Sequence, residues 1–218
     1  MSPRFPALEI LPQAQRRLWD ELGAVPDEFT LYGGTALALQ LGHRESVDFD
    51  LFGAKPFDPD QVYGSLPFLQ DAEVLQRDVN TLTCRVDRGG PVLISFFGVP
   101  RLPRIDSPLT APGNGLRVAG LRDLAGTKAH VVQKRAEAKD YIDLDALIGS
   151  GIDLPTILAA GAALYGSVFN PQITLKALSY FEDGDLALLP PAVRSRLQNV
   201  VPSVDLDLLP ILSASLRQ

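Results

Sequence analysis

Apolar and polar positions alternate in two different periods along this chain, and the change of period marks out its elements. Ala14, Leu18, Trp19 and Leu22 recur at helical spacing and predict an opening helix. Phe29 to Tyr32 is a short apolar run that stops at Gly33-Gly34, after which Thr35 to Leu41 return to helical spacing. From Ser46 to Phe52 the period becomes two, with Val47, Phe49 and Leu51 on one side and Asp48, Asp50 and Phe52 on the other. That is the pattern of a half-buried strand. Further strands are predicted near Asp71 to Val79, Leu82 to Asp87 and Val92 to Phe97, with a helix around Pro59 to Phe68. The Pro- and Gly-dense stretch from Gly98 to Gly115 reads as a functional flap or an exposed connection. Beyond it the pattern is helical throughout. One amphipathic helix with the apolar stripe Leu121, Leu124, Ala125, Ala129, Val132 and Ala136 comes first. Helices at Leu154 to Tyr165, Pro171 to Phe181 and Pro191 to Val200 follow, and a last one after Ser203. Leu175, Leu178, Tyr180 and Phe181 are expected to pack in the core.

The chemistry concentrates where the two periods meet. A glycine turn that opens a helix offers unpaired backbone N–H groups and the positive end of the helix dipole, so Gly33, Gly34 and Thr35 can cradle phosphate. Thr35 can also cap the helix. Asp48 and Asp50 point the same way from one strand, and paired carboxylates of this kind suit a divalent cation that bridges to phosphate oxygens. Each piece alone is ordinary: most Gly-Gly pairs are tight turns, and most Asp-x-Asp pairs are solvated strand faces. Their order along one segment carries the signal.

Turn, helix, short loop and acidic strand recur in that order in polymerase-β-like nucleotidyltransferases. The wording Gly-Gly-Thr-Ala-Leu followed by Arg-x-Ser-x-Asp-Phe-Asp-Leu-Phe resembles the AbiEii/AbiGii-type nucleotidyltransferase toxins. A later segment supports the resemblance, with Asp123, Leu124 and Lys128 followed by Arg135, Lys139, Asp140, Asp143 and Leu144. On one uninterrupted helix Lys128, Arg135 and Lys139 would align in a narrow sector with Asp143 close by and Asp140 farther round. A kink near Ala136 to Ala138 would change that comparison. The resemblance implies an α+β fold: a nucleotidyltransferase domain with a small mixed sheet over residues 1–118, then a helical domain over 119–218 that completes the active site. It also implies transfer of NMP from NTP to an acceptor hydroxyl, with Mg²⁺ or Mn²⁺ on Asp48 and Asp50. Lys128 would meet the triphosphate, Arg135 and Lys139 phosphate or RNA backbone, and Asp143 or Asp140 would serve as third acid. The implied acceptor is a tRNA 3′ end, and the implied partner a cognate antitoxin of an abortive-infection or toxin–antitoxin system. Alternatives are a small-molecule acceptor such as an aminoglycoside, a protein hydroxyl, or a catalytically weak nucleotide-binding module.

One departure stands out. Many relatives in this superfamily carry a third carboxylate on a neighbouring strand, where Val92 to Phe97 offers Ser95; Asp87 is a conceivable substitute.

Composition narrows the class further. The 218 residues, 46% hydrophobic and 21% charged, suffice for a full core. A net charge of −6 argues against indiscriminate coating of nucleic acid. Arg101, Arg104, Arg117, Arg122, Lys128, Lys134, Arg135 and Lys139 nonetheless concentrate positive charge mid-chain, which permits a basic groove, while Asp183, Asp185, Asp205 and Asp207 weight the end. Cys84, the single cysteine, reads as a buried thiol. His43 and His130 lack zinc spacing; His43 reads as a loop residue or a nucleotide contact. The opening Met1-Ser-Pro-Arg-Phe-Pro lacks an apolar signal core and no run approaches a membrane span, so a cytoplasmic enzyme is expected.

Overall fold

The computed structural model describes residues 8–216; the opening stretch read for a signal core lies outside the described residues. The described residues divide into two compact units, residues 8–102 with 107–119 and 216, and residues 103–106 with 120–215. The short strand β6 (Pro103–Arg104, labelled in chain order) groups with the helical unit.

The first unit is built on a seven-stranded mixed sheet. Its strands are β1 (Phe29–Tyr32), β2 (Asp48–Gly53), β3 (Glu73–Asp78), β4 (Thr81–Asp87), β5 (Pro91–Gly98), β7 (Leu109–Thr110) and β8 (Arg117–Val118). Their spatial order is β3-β4-β5-β2-β1-β8-β7. β2 runs parallel to β5 and antiparallel to β1, so the acidic strand lies in the middle. All four residues of β1 are buried, as befits an interior strand. In β2, Phe49 and Leu51 are buried while Asp48, Asp50 and Phe52 are half-buried, which is the alternation the sequence predicts.

Helices α1 (Gln13–Trp19), α2 (Gly33–Leu41) and α3 (Pro59–Ser65) complete this unit. The predicted opening helix ends sooner than expected and continues as a 3-10 turn over Asp20–Ala24. α2 stops at Gly42, whose φ of +63° is the left-handed conformation that glycine adopts freely, and the Gly42 N–H bonds the Ala38 carbonyl at 2.8 Å. Cys84 is fully buried, and burial pushes its thiol pKa up.

The second unit holds α4 (Leu121–Val131), α5 (Ala138–Gly149), α6 (Leu154–Tyr165), α7 (Pro171–Ala177) and α8 (Pro191–Val200). α4 packs on α6 through Gly126, where an added Cβ would lie 2.7 Å from the Ala160 backbone. Capping fixes where α6 and α7 start: Asp153 accepts the Thr156 N–H at 2.9 Å and Asn170 the Gln172 N–H at 3.0 Å. Leu178 and Phe181 are core residues as expected, whereas Tyr180 is half exposed. In place of the helix expected after Ser203, the described residues form a 3-10 turn at Leu206–Leu208 and a short strand, β9 (Ser215–Leu216), paired with β6. Among the described residues no single helix is long and apolar enough to cross a membrane.

The largest correction concerns the predicted helix from Leu121 to Leu144, which is two helices. α4 ends at Val131 and α5 starts at Ala138. The break is held by the loop after α7. Asp185 accepts the Ala138 N–H at 2.6 Å, capping α5 from 47 residues away, and Gly184 lies against the Ala136 carbonyl with a φ of +55°. Any side chain at Gly184 would strike that carbonyl.

Candidate active site

In the first unit the Gly33-Gly34 turn and the acidic strand meet. Gly33 has a φ of +72°, and a Cβ placed on it would lie 2.5 Å from Oδ2 of Asp50. Both the backbone conformation and this close approach call for glycine. The Asp50 carboxylate thus rests on the first residue of α2, where helix amides lack intrahelical partners. At Gly34 the added Cβ would lie 2.6 Å from Nη2 of Arg44 and 2.8 Å from Oγ of Ser46, both from the loop between α2 and β2.

Thr35 takes a different place from the one its sequence position suggests. Tyr32 occupies the cap position of α2, its side chain does not cap the helix, and Thr35 is fully buried. Its hydroxyl donates to the Asp48 carbonyl at 2.5 Å. Thr35 therefore ties the helix to the start of β2 instead of capping, and any part in a phosphate cradle falls to its backbone.

Strand register puts Tyr32, Asp50, Ser95 and Thr83 in one row across β1, β2, β5 and β4. Ser95 is thus beside Asp50, where the third carboxylate was expected, and its hydroxyl hydrogen bonds with that of Thr83 at 3.1 Å. Asp87 is no substitute. It lies four residues along β4 from the partner of Ser95, about 13 Å at strand rise. Its Oδ1 accepts the N–H groups of Gly89 and Gly90 at 2.7 and 3.1 Å, which hold the β4–β5 turn and draw its pKa down. On the same sheet face Phe52 packs edge-on against Tyr32 and tilted against Phe97, with ring centroids 5.3 and 4.9 Å away, forming an apolar flank beside Asp50. Among the described residues no group of three or more His, Cys, Asp or Glu side chains is arranged to hold a metal, which leaves Asp48 and Asp50 as a two-carboxylate pair. His43 lies in the loop ahead of them.

The second unit gathers its own charged cluster. Lys128 Nζ lies 2.6 Å from Oδ1 of Asp140 and 2.6 Å from Oδ2 of Asp143. Both carboxylates are fully buried and the lysine side chain is 7% exposed. Arg135 Nε adds a bond to Asp140 at 2.8 Å, while Arg135 and Lys139 both pair with Glu137, at 3.3 and 2.9 Å. The break between α4 and α5 makes this possible: on a continuous helix Lys128 and Asp140 would stand about 18 Å apart. The narrow sector of Lys128, Arg135 and Lys139 does not form, and Asp140 meets Lys128 as closely as Asp143 does.

The profile described as "Nucleotidyl transferase AbiEii toxin, Type IV TA system" matches residues 17–211. The chain belongs to the AbiEii nucleotidyltransferase toxin family. An uncharacterised protein of Aquifex aeolicus (strain VF5) is 34% identical over 160 residues, 72% of this chain and 75% of that one. Among solved structures, MenT4, a nucleotidyltransferase toxin from Mycobacterium tuberculosis H37Rv, shares the fold with a TM-score of 0.59 and 17% identity, covering 88% of this chain and 83% of that one. Membership makes the chain a nucleotidyltransferase that uses NTP.

Within the AbiEii pattern the structure separates residues that sequence could not. Asp123, which opens the later motif, is 1% exposed and accepts the N–H groups of Ile105 and Asp106 at 2.8 and 2.9 Å. It secures the segment that follows β6 to α4, and burial raises its pKa. Of the mid-chain arginines, Arg122 pairs with Asp106 at 2.5 Å and Arg117 donates to the Asp27 carbonyl at 2.9 Å. Arg44 and Ser46 belong to the quoted motif, and their position over Gly34 gives them a place at the turn that spacing alone did not reveal.

Proposed function

We propose that this AbiEii-family chain transfers NMP from a Mg²⁺-bound NTP to a hydroxyl of RNA, with a tRNA 3′ end as acceptor, and that an antitoxin restrains it in an abortive-infection or toxin–antitoxin setting. The observation that carries the reading is the seat of Asp50 on Gly33. It sets the Asp50 carboxylate against the start of α2, with Asp48 two residues away on the same face of β2. An anion held by those amides and a cation held by Asp48 and Asp50 would be neighbours.

The donor set fits Mg²⁺. This ion accepts one or two carboxylates, retains waters and takes its remaining ligands from substrate phosphates, so two aspartates suffice and Ser95 need not be acidic. Bound there, the metal supplies charge stabilisation for the phosphates in an in-line displacement. The acceptor oxygen forms a bond to the α-phosphorus, the α–β phosphoanhydride bond breaks, and pyrophosphate leaves while the hydroxyl proton is lost. Gly33, Gly34 and the Thr35 backbone hold the β- and γ-phosphates. Lys128 is assigned to the triphosphate on its motif, with Asp140 and Asp143 fixing its ammonium; Arg135 and Lys139 are assigned to the RNA backbone on the same ground.

The test incubates the purified chain and its Asp50→Ala variant with Mg²⁺, each labelled NTP in turn, and total tRNA. Label on RNA that requires Asp50 is the expected result. Equal labelling by the variant overturns the metal assignment, and labelling of another acceptor class in place of RNA overturns the tRNA assignment.

A further inference from the structure

Gly34 is a glycine for a reason the backbone does not supply. Its φ lies outside the left-handed region, so an L-residue could adopt its conformation, and a glycine inside a helix costs stability relative to alanine. A side chain there would have to displace the cover. The guanidinium of Arg44, with Nη2 2.6 Å and Cζ 3.4 Å from the Cβ position, and the hydroxyl of Ser46 at 2.8 Å fill that space. The loop between α2 and β2 turns Arg44 back onto the start of the helix it has just left, and a bond from Nη1 to the Glu45 carbonyl at 2.9 Å steadies the guanidinium.

We propose that Arg44 is a triphosphate-binding residue of this enzyme, seated on Gly34 so that its guanidinium and the first amides of α2 grip the same β- and γ-phosphates, with the Ser46 hydroxyl as a third donor. The chemistry fits the ligand. A guanidinium stays charged at every working pH and offers a planar fork of N–H donors matched to phosphate oxygens. The amides beneath it are the positive end of α2, and Asp50 on the adjacent Gly33 marks the side from which a cation would neutralise the same polyphosphate. Gly34 then serves to keep the guanidinium low on the turn. This inference rests on the nucleotidyltransferase reading of the turn and names a residue to which that reading gives no role.

The experiment measures, by titration calorimetry with Mg²⁺, the Kd of the full chain for each NTP and for the corresponding NMP, in wild type, Arg44→Ala, Arg44→Lys and Gly34→Ala, with thermal melts alongside. Arg44→Ala is expected to weaken NTP binding by about ten- to a hundredfold, the effect of losing charge-assisted hydrogen bonds, and to leave NMP binding within about twofold. Arg44→Lys restores only part of the loss, because an ammonium lacks the fork. Gly34→Ala keeps every charge, lifts the guanidinium, and weakens NTP binding without lowering the melting temperature. Unchanged NTP affinity in Arg44→Ala overturns the inference, as does an equal loss for NTP and NMP. Should wild type bind no NTP, the reading of the turn fails as well; wild-type binding with an indifferent Arg44→Ala sinks this inference alone.

Discussion

Replacing Lys128 by methionine, which keeps the volume and removes the charge, should destabilise the second unit far more than a surface lysine would. Two carboxylates lie 2.6 Å from its ammonium and both are fully buried. At an effective dielectric of about 20, each contact is worth roughly 6 kcal/mol of gross attraction. Desolvation of three buried charges and the repulsion between the two aspartates cancel much of that sum. Removal of the lysine leaves the desolvation cost in place and takes away the compensation, so the expected loss is about 3–5 kcal/mol. For a chain of this length the melting temperature should fall by roughly 6–20 °C. Urea unfolding followed by far-UV circular dichroism gives the free energy, and Asp143→Asn in the Lys128→Met background gives the coupling. The double variant should recover part of the stability, because one of the two buried carboxylates that faced Lys128 is gone. A loss under about 1 kcal/mol, the range of an exposed pair, together with simple additivity, would refute the reasoning. The outcome also governs how kinetics are read: transfer by Lys128→Met is informative only well below its own melting temperature.

Other sites give independent tests. Gly33→Ala combines a positive φ, costing about 1–2 kcal/mol, with a Cβ 2.5 Å from Asp50 Oδ2, so transfer should drop roughly a hundredfold in steady-state assays while the chain stays folded. Retained activity would detach Asp50 from the chemistry. Asp123→Asn keeps one acceptor oxygen and turns an NH₂ group toward the second of the Ile105 and Asp106 amides; urea unfolding should show a loss of roughly 1–3 kcal/mol, and none is expected if those bonds are incidental. His130 stacks on Tyr165 with ring centroids 4.2 Å apart, and burial, followed by the nearby Lys134 charge, holds its pKa below 6.5. Because the unfolded chain takes up that proton first, the histidine's contribution is present above about pH 6.5 and is lost as pH falls toward the folded value. His130→Phe preserves the stack and should flatten the decline of the urea midpoint between about pH 8 and pH 5; an identical decline would assign the slope to other groups.

Much of the acidic strand and the turn was legible because both are local. Alternation at period two places Asp48 and Asp50 on one face of β2 whatever surrounds it, and α6 and α8 keep their predicted limits because proline and capping residues fix helix ends within a few positions. The same locality explains the failures. Apolar spacing carries α4 through Ala136, and the sequence leaves a kink near Ala136 to Ala138 open without deciding it, since the group that caps α5 is Asp185 and the space beside Ala136 is made by Gly184. Thr35 looks like a cap in sequence, yet a carbonyl thirteen positions on takes its hydroxyl.

The sequence by itself determined strands β1 to β5, most of the helices, that a glycine turn precedes two like-facing carboxylates, and which family the motifs resemble, because dihedral preference and side-chain period act over a few residues. Only the tertiary structure decided which charge meets which. Lys128 faces two aspartates, Asp123 holds a distant segment, and Arg44 lies on Gly34. Hydrogen bonds and ion pairs act over about 3 Å, so their partners are chosen by how the elements pack and not by their separation along the chain.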